Sequence, residues 1–269
     1  MPDFFCLYIF IINNNIIMSE FRFPTEVIDL PSKGLIYPES SPLSSGTIEL
    51  KYMSAKEEDI LTNQNFLEKG IVVDKLLQSM IVSKIDYSEL ILGDKNAILV
   101  AARILGYGAE YPVEVTDKYG KKVSTTINLS ELKDKKIDET LFIKGKNEFN
   151  FTLPQSKVTV TFKLLTHGDE MKIEEELKGL KKLYPQESFD ITTRLKYQII
   201  AINGDSNAEK IRLFVDNMLL QDSRAFRKHI NEITPDLDMV FNYEDSKGDI
   251  VEGVSVPMNL NFLWPDANL

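Results

Sequence analysis

Pro31, Gly34, Pro38 and Pro42 crowd one short stretch of the chain, and no regular helix can run through it. Proline lacks a backbone donor and fixes its own φ, and glycine admits the turn conformations that other residues avoid. Directly afterwards Ile48, Leu50 and Tyr52 alternate with Thr47, Glu49 and Lys51, the period of a half-buried strand. Ser54 with Glu57 three residues on is a capping-box pattern, which starts a helix at Ala55. Val72, Val73, Leu76, Leu77, Met80 and Ile81 then recur at helical spacing. Turns, a strand and helices therefore follow one another within residues 30–82, and the chain must mix the two kinds of structure.

The same alternation of periods continues. A helix is predicted from Asp94, with Ala97, Ile98, Ala101, Ala102 and Leu105 on one face and a stop at Gly106-Tyr107-Gly108. Tyr111, Val113 and Val115 read as a strand, and Asp117-Lys118-Tyr119-Gly120 turns the chain into a second one through Val123, Thr125 and Ile127. Phe149, Phe151 and Leu153, then Val158, Val160, Phe162 and Leu164, give two more, so a four-stranded antiparallel meander is expected over residues 110–165. Helix returns at Thr166, with acids early and lysines late as the helix dipole favours. Ile191, Leu195, Ile199 and Ile202 mark the face of a further helix. Ser206 with Glu209 caps another, and Asp222 or Ser223 caps the one carrying Phe226, Ile230 and Ile233. A hairpin turning at residues 245–249 and an apolar edge strand through Leu260, Phe262 and Trp264 close the sequence. The expected fold class is α+β: a helical N-terminal unit, an antiparallel β meander, and a helical C-terminal third closed by a β-hairpin. The units run over residues 18–108, 109–165, 166–236 and 237–269, with 1–17 expected as a poorly packed extension.

Composition narrows the chemistry. A formal charge of −10 over 269 residues argues against binding bulk nucleic acid, which needs a basic face. The basic clusters at Lys121–Lys122 and at Arg224, Arg227 and Lys228 are local. Cys6 is the only cysteine and His167 and His229 the only histidines, so a thiolate zinc site is excluded and no cofactor is expected. Residues 4–12 are apolar but far short of the ~20 needed to span a bilayer, so no stable membrane insertion is expected. No phosphate-binding loop, nucleophile elbow or zinc-protease motif occurs. His167 beside Asp169 and Glu170 could be drawn as a hydrolytic or metal cluster, but acids at a helix start are what the dipole alone would select.

Three blocks carry a resemblance: residues 30–82, RILGYGAEYPVEV at 103–115, and residues 194–264, including FVDNMLLQDSRAFRKHINEITPDLDM at 214–239 and VPMNLNFLWPD at 256–266. The chain resembles the baseplate hub assembly proteins of contractile-tailed phages of the T-even type. Similar proteins often carry a CxxC ribbon in the hairpin before the VPM-like strand; here that hairpin, residues 243–249, has no cysteine, so its turn must hold without metal. The resemblance implies a non-enzymatic protein that helps the central baseplate hub assemble, with other hub and tail proteins as partners. Its expected places are the host cytoplasm during assembly and the virion tail baseplate. A tail assembly chaperone absent from the virion is the nearest alternative, and a tail-associated hydrolase the alternative of a different class. The contact residues expected are Leu35, Ile36, Tyr37, Ile48, Leu50 and Tyr52 in the arm and strand, Phe262 and Trp264 at the end, and the basic helix face of Arg224, Arg227 and Lys228.

Overall fold

Residues 24–258 and 260–265 are described by the structure, a computed structural model; the expectation for residues 1–17 lies outside them. β1 (Thr25–Asp29) pairs antiparallel with β2 (Thr47–Lys51), Ile28 opposite Ile48. The proline- and glycine-rich stretch between them is closed rather than extended. Leu30 N donates to the Gly46 carbonyl at 2.8 Å, and the turns inside are pinned by Lys33 N to Leu30 O and Leu35 N to Ser32 O. Gly34 and Gly46 both have positive φ, 72° and 73°, and a Cβ on Gly34 would lie 2.5 Å from the Ser44 carbonyl oxygen.

The capping box is present. Ser54 N and Oγ donate to Glu57 Oε2 at 3.0 and 2.6 Å, and α1 (Ala55–Leu61) starts where predicted. Glu57 is also buried, and Lys51 Nζ (2.8 Å) and Ser79 Oγ (3.0 Å) donate to its other oxygen. One carboxylate thus ties β2, α1 and α3 (Val72–Met80) together across the short α2 (Gln64–Glu68). Burial pushes this carboxyl up, but the bonds from Lys51, Ser54 and Ser79 outweigh it and hold it at about 2, below its ordinary 4.5. Its contribution is therefore complete above the ordinary carboxylate value and is lost as the pH falls toward about 2. The stability gap between the wild type and Glu57→Gln, measured by urea unfolding, should be wide at neutral pH and shrink on acidification. A gap that stayed constant through the acid range would contradict this role.

α4 (Leu92–Tyr107) buries Ala97, Ile98, Ala101 and Ala102 as expected and ends at Gly108, φ 84°. The four strands predicted over residues 110–165 are all present and antiparallel, but they divide. β3 (Glu110–Thr116) and β4 (Lys122–Asn128) form a hairpin of their own, while β5 (Phe149–Thr152), β6 (Thr159–Phe162) and β7 (Ile199–Ile202) form a second sheet in that order. β7 corrects the helix expected through Ile202. α5 (His167–Leu183) is followed by α6 (Asp190–Gln198), which stops before Ile199, and the next residues pair with β6, Val160 opposite Ile202. Ile199, Ile200 and Ile202 are β-branched, and a short apolar run satisfies either period until a partner strand decides.

Two caps also move. α7 (Ala208–Asp216) is capped by Asn207, whose Oδ1 accepts from Lys210 N at 3.0 Å, not by Ser206. α8 (Leu220–Ile233) encloses Asp222, whose carboxylate instead accepts from Gln155 N at 2.7 Å and Ser156 N at 3.0 Å in the β5–β6 connection. α8 lies on the three-stranded sheet, with Phe226 edge-on to Phe162 at 5.0 Å. His229 stacks on Phe151 at 4.4 Å and is half-buried.

At the C-terminal end β8 (Val240–Glu244) and β9 (Ile250–Ser255) make the predicted hairpin. Its turn repeats that of β3–β4. Asp117 Oδ1 accepts from Tyr119 N and Lys121 N, and Asp245 Oδ1 accepts from Lys247 N and Asp249 N, all at 2.8–3.0 Å. The two turns also clasp each other, Lys118 Nζ lying 3.2 Å from Asp245 Oδ2 and Ser246 N donating to Asp117 Oδ2 at 3.3 Å. The hairpin is thereby held by its own carboxylates. The edge strand expected through Phe262 and Trp264 is instead a single helical turn, α9 (Leu260–Leu263). Phe262 and Leu263, neighbours in sequence, are both buried, which a strand with one inward face cannot achieve.

Candidate docking surfaces

The loop between β1 and β2 is anchored by one buried acid, with Glu89 and Glu139 holding Ser41 and Lys33 nearer the surface. Asp94, in the first turn of α4, is fully buried; its Oδ1 accepts from Ser32 N at 2.9 Å and its Oδ2 from Tyr37 Oη at 2.6 Å. Tyr37 Oη in turn accepts from Ile91 N at 3.2 Å. Burial pushes both the Asp94 carboxyl and the Tyr37 hydroxyl up. This geometry decides the fate of contact residues expected in the arm. Ile36 and Tyr37 are buried in the chain's own core because the loop closes over α4 instead of standing away from it, and Ile48 and Leu50 are buried as the inward-facing residues of β2. Phe262 is buried too, edge-on to Tyr111 at 5.1 Å. In this conformation these five hold the fold and present no surface. Leu35, Tyr52 and Trp264 are half-buried, and Tyr52 Oη donates to Glu26 Oε1 at 3.1 Å.

Arg224, Arg227 and Lys228 do share an exposed face of α8, as spacings of three and four require. Lys228 lies 3.6 Å from Glu232, and Arg227 Nε donates to the Ser223 carbonyl at 3.4 Å. Among the described residues no carboxylate pairs with Arg224 or Arg227.

The carboxylates that a hydrolytic or metal reading would use are scattered. A groove of about 910 Å³ lies beside α5 and is lined by Asp74, Lys95, His167, Glu170 and Arg194, among others. Asp74 Oδ1 is 2.5 Å from Lys95 Nζ and accepts from Tyr87 Oη at 2.9 Å, while its Oδ2 lies 3.8 Å from His167 Nε2. Glu170 receives both its bonds from Arg194, at 2.6 and 2.8 Å. Asp169 is engaged in the helix cap and by Lys163 Nζ at 2.7 Å. Burial draws the His167 imidazole down, against Asp74, which favours its charged form. Each of these acids is thus committed to a cation, and among the described residues no group of three or more His, Cys, Asp or Glu could hold a metal ion.

A second cleft, of about 340 Å³, lies where α5, α6 and α8 meet. Its floor is apolar, with Ile91, Leu164, Leu195 and Ile230 all buried. Leu92 and Ile191 line it as well, yet remain 51% and 46% exposed. Arg194 reaches both Glu170 and Asp190 on one rim, and Arg227 stands on the other. Helical spacing assigns Ile191 and Leu195 to one apolar face but does not bring Leu92, Leu164 or Arg227 beside them. Their separation along the chain hides the site.

A protein-family model described as T4 bacteriophage base plate protein matches residues 27–257. The chain belongs to that family. The match begins within β1, takes in the elements from β2 to the β8–β9 hairpin, and stops before α9. Neither the curated proteins nor the solved structures yield a match. Among its described residues no helix is long and apolar enough to cross a membrane.

Proposed function

We propose that this base plate protein acts, without catalysing a reaction, in the assembly of the central hub of a contractile phage tail, through contacts with other hub and tail proteins. The family match over residues 27–257 carries the reading, because it spans nearly the whole described fold and names the structure in which such proteins serve. The surface is consistent with it. Asp74 and Glu170 in the groove beside α5 are ion-paired rather than poised, whereas among the described residues β1 forms the outer edge of its two-stranded sheet with Val27 67% exposed, a template for strand addition. The protein then works in the host cytoplasm while the tail is built and passes with the hub into the virion baseplate.

Cross-linking mass spectrometry on the tagged chain, purified from infected cells, tests this. Cross-links to other hub and tail proteins are expected. Recovery of the chain with no tail protein attached would overturn the reading, and its absence from purified virions would make it a chaperone that leaves before the particle is complete.

A further inference from the structure

We propose that the cleft between α5, α6 and α8 receives a short segment of a partner protein that inserts apolar side chains and sets carboxylates against the α8 rim. The proposal rests on the docking function argued above and names the chemistry of one partner contact.

The apolar part comes from the cleft's lining. Ile91, Leu164, Leu195 and Ile230 give it a dry floor, and Leu92 and Ile191 leave large aliphatic surface exposed at its mouth. Its volume, about 340 Å³, suits one or two apolar side chains and is too small for a whole helix. Exposed aliphatic residues gathered around a concave apolar floor are a usual mark of a protein contact.

Charge chooses among partners. Three acids line the cleft, and each is engaged. Glu170 and Asp190 share Arg194, at 2.6 and 3.1 Å, and Asp236 accepts from Asn96 Nδ2 at 3.1 Å and from Leu237 N at 2.8 Å. Burial also pushes the Asp236 carboxyl toward its neutral form. The α8 rim is the opposite. Arg227 lines the cleft and Arg224 stands one turn away on the same exposed face, and among the described residues neither has a carboxylate partner although the chain carries a net charge of −10. Two uncompensated guanidinium groups beside an apolar slot fit carboxylates bidentately and reject basic segments. The single Arg194 between two acids leaves the α5–α6 rim slightly negative, which fixes the direction of the segment: acids toward α8, apolar side chains into the floor.

The test uses the purified full-length chain and fluorescently labelled peptides read by anisotropy. One peptide has a central Leu-Phe pair flanked by glutamates; in a second the glutamates are replaced by lysines; in a third the Leu-Phe pair is replaced by serines. Saturable binding is expected for the first peptide alone. Arg227→Glu should weaken it about tenfold or more and let the lysine peptide bind, and Ile191→Asp should weaken the acidic peptide's binding without admitting the lysine peptide. Both positions are exposed, so unchanged circular dichroism and thermal midpoint should accompany the loss. No saturable binding, or equal affinity for the acidic and basic peptides, would overturn the proposal. So would sedimentation showing a dimer that Ile191→Asp dissociates, since a second copy would then be the occupant. Cross-links to hub proteins that all avoid the cleft would defeat this inference and leave the function standing; absence of any tail partner would defeat the function itself.

Discussion

Gly93→Ala should destabilise the protein by about 2–3 kcal/mol, although the same change in an open helix usually stabilises by about 1 kcal/mol. Gly93 sits in the first turn of α4, and a Cβ there would lie 1.8 Å from the Pro235 carbonyl oxygen and 2.8 Å from Asp236 Cα. Both obstacles are backbone, so neither can rotate away. The contact also brings Asn96 and Asp236 within hydrogen-bonding distance, joining the N-terminal helix to the residues that follow α8. Gly179, exposed on α5, is the control: a Cβ added there would meet nothing within 4 Å, and Gly179→Ala should stabilise by about 0.5–1 kcal/mol. Urea unfolding of the two variants should give opposite signs. A Gly93→Ala protein as stable as the wild type would show that α4 does not dock on the 235–236 backbone as described.

Asp94→Ala should cost about 3 kcal/mol and free the β1–β2 loop. Its removal leaves Ser32 N and Tyr37 Oη as buried donors without acceptors, each worth about 1–3 kcal/mol, offset in part because a buried carboxyl is itself costly. Asp94→Asn should be milder, since its amide oxygen still accepts from Ser32 N and its amine can donate to Tyr37 Oη. Burial raises the Asp94 carboxyl, so the fold favours the protonated form and acidification spares this anchor, the reverse of the behaviour expected for Glu57. The second readout is limited proteolysis. Lys33 is exposed within the loop, and trypsin should cut after it much faster in Asp94→Ala than in the wild type. Unchanged cleavage together with unchanged stability would remove Asp94 as the anchor.

What is legible in the sequence follows the range over which each signal acts. The Ser54–Glu57 capping box, the face of α3 and the glycine stop after α4 involve residues within about one or two turns of each other, and each lies where its pattern places it. The α+β class follows from the same local periods. Asp222 misleads because a carboxylate at a helix start is an ordinary cap locally, and nothing nearby reveals that Gln155 and Ser156 are its partners. β7 misleads because an apolar run after a helix continues it equally well until β6 is known to lie alongside. The expected contact residues depart from the structure for a related reason. Ile36 and Tyr37 form a surface only if the loop stands out, and Asp94, far along the chain, is what holds it inward, while Ile48 and Leu50 are the inward face of β2. Arg224, Arg227 and Lys228 are legible as a face since helical spacing alone groups them; the cleft that Arg227 lines is not, since its walls come from four separated segments.

Infection with phage carrying a stop codon in this gene, followed by electron microscopy and mass spectrometry of the tail intermediates, tests the central claim most directly. Baseplate parts are expected to accumulate without a completed central hub, and supplying the full chain in trans should restore it. Complete hubs of normal composition in the absence of the protein would contradict the account.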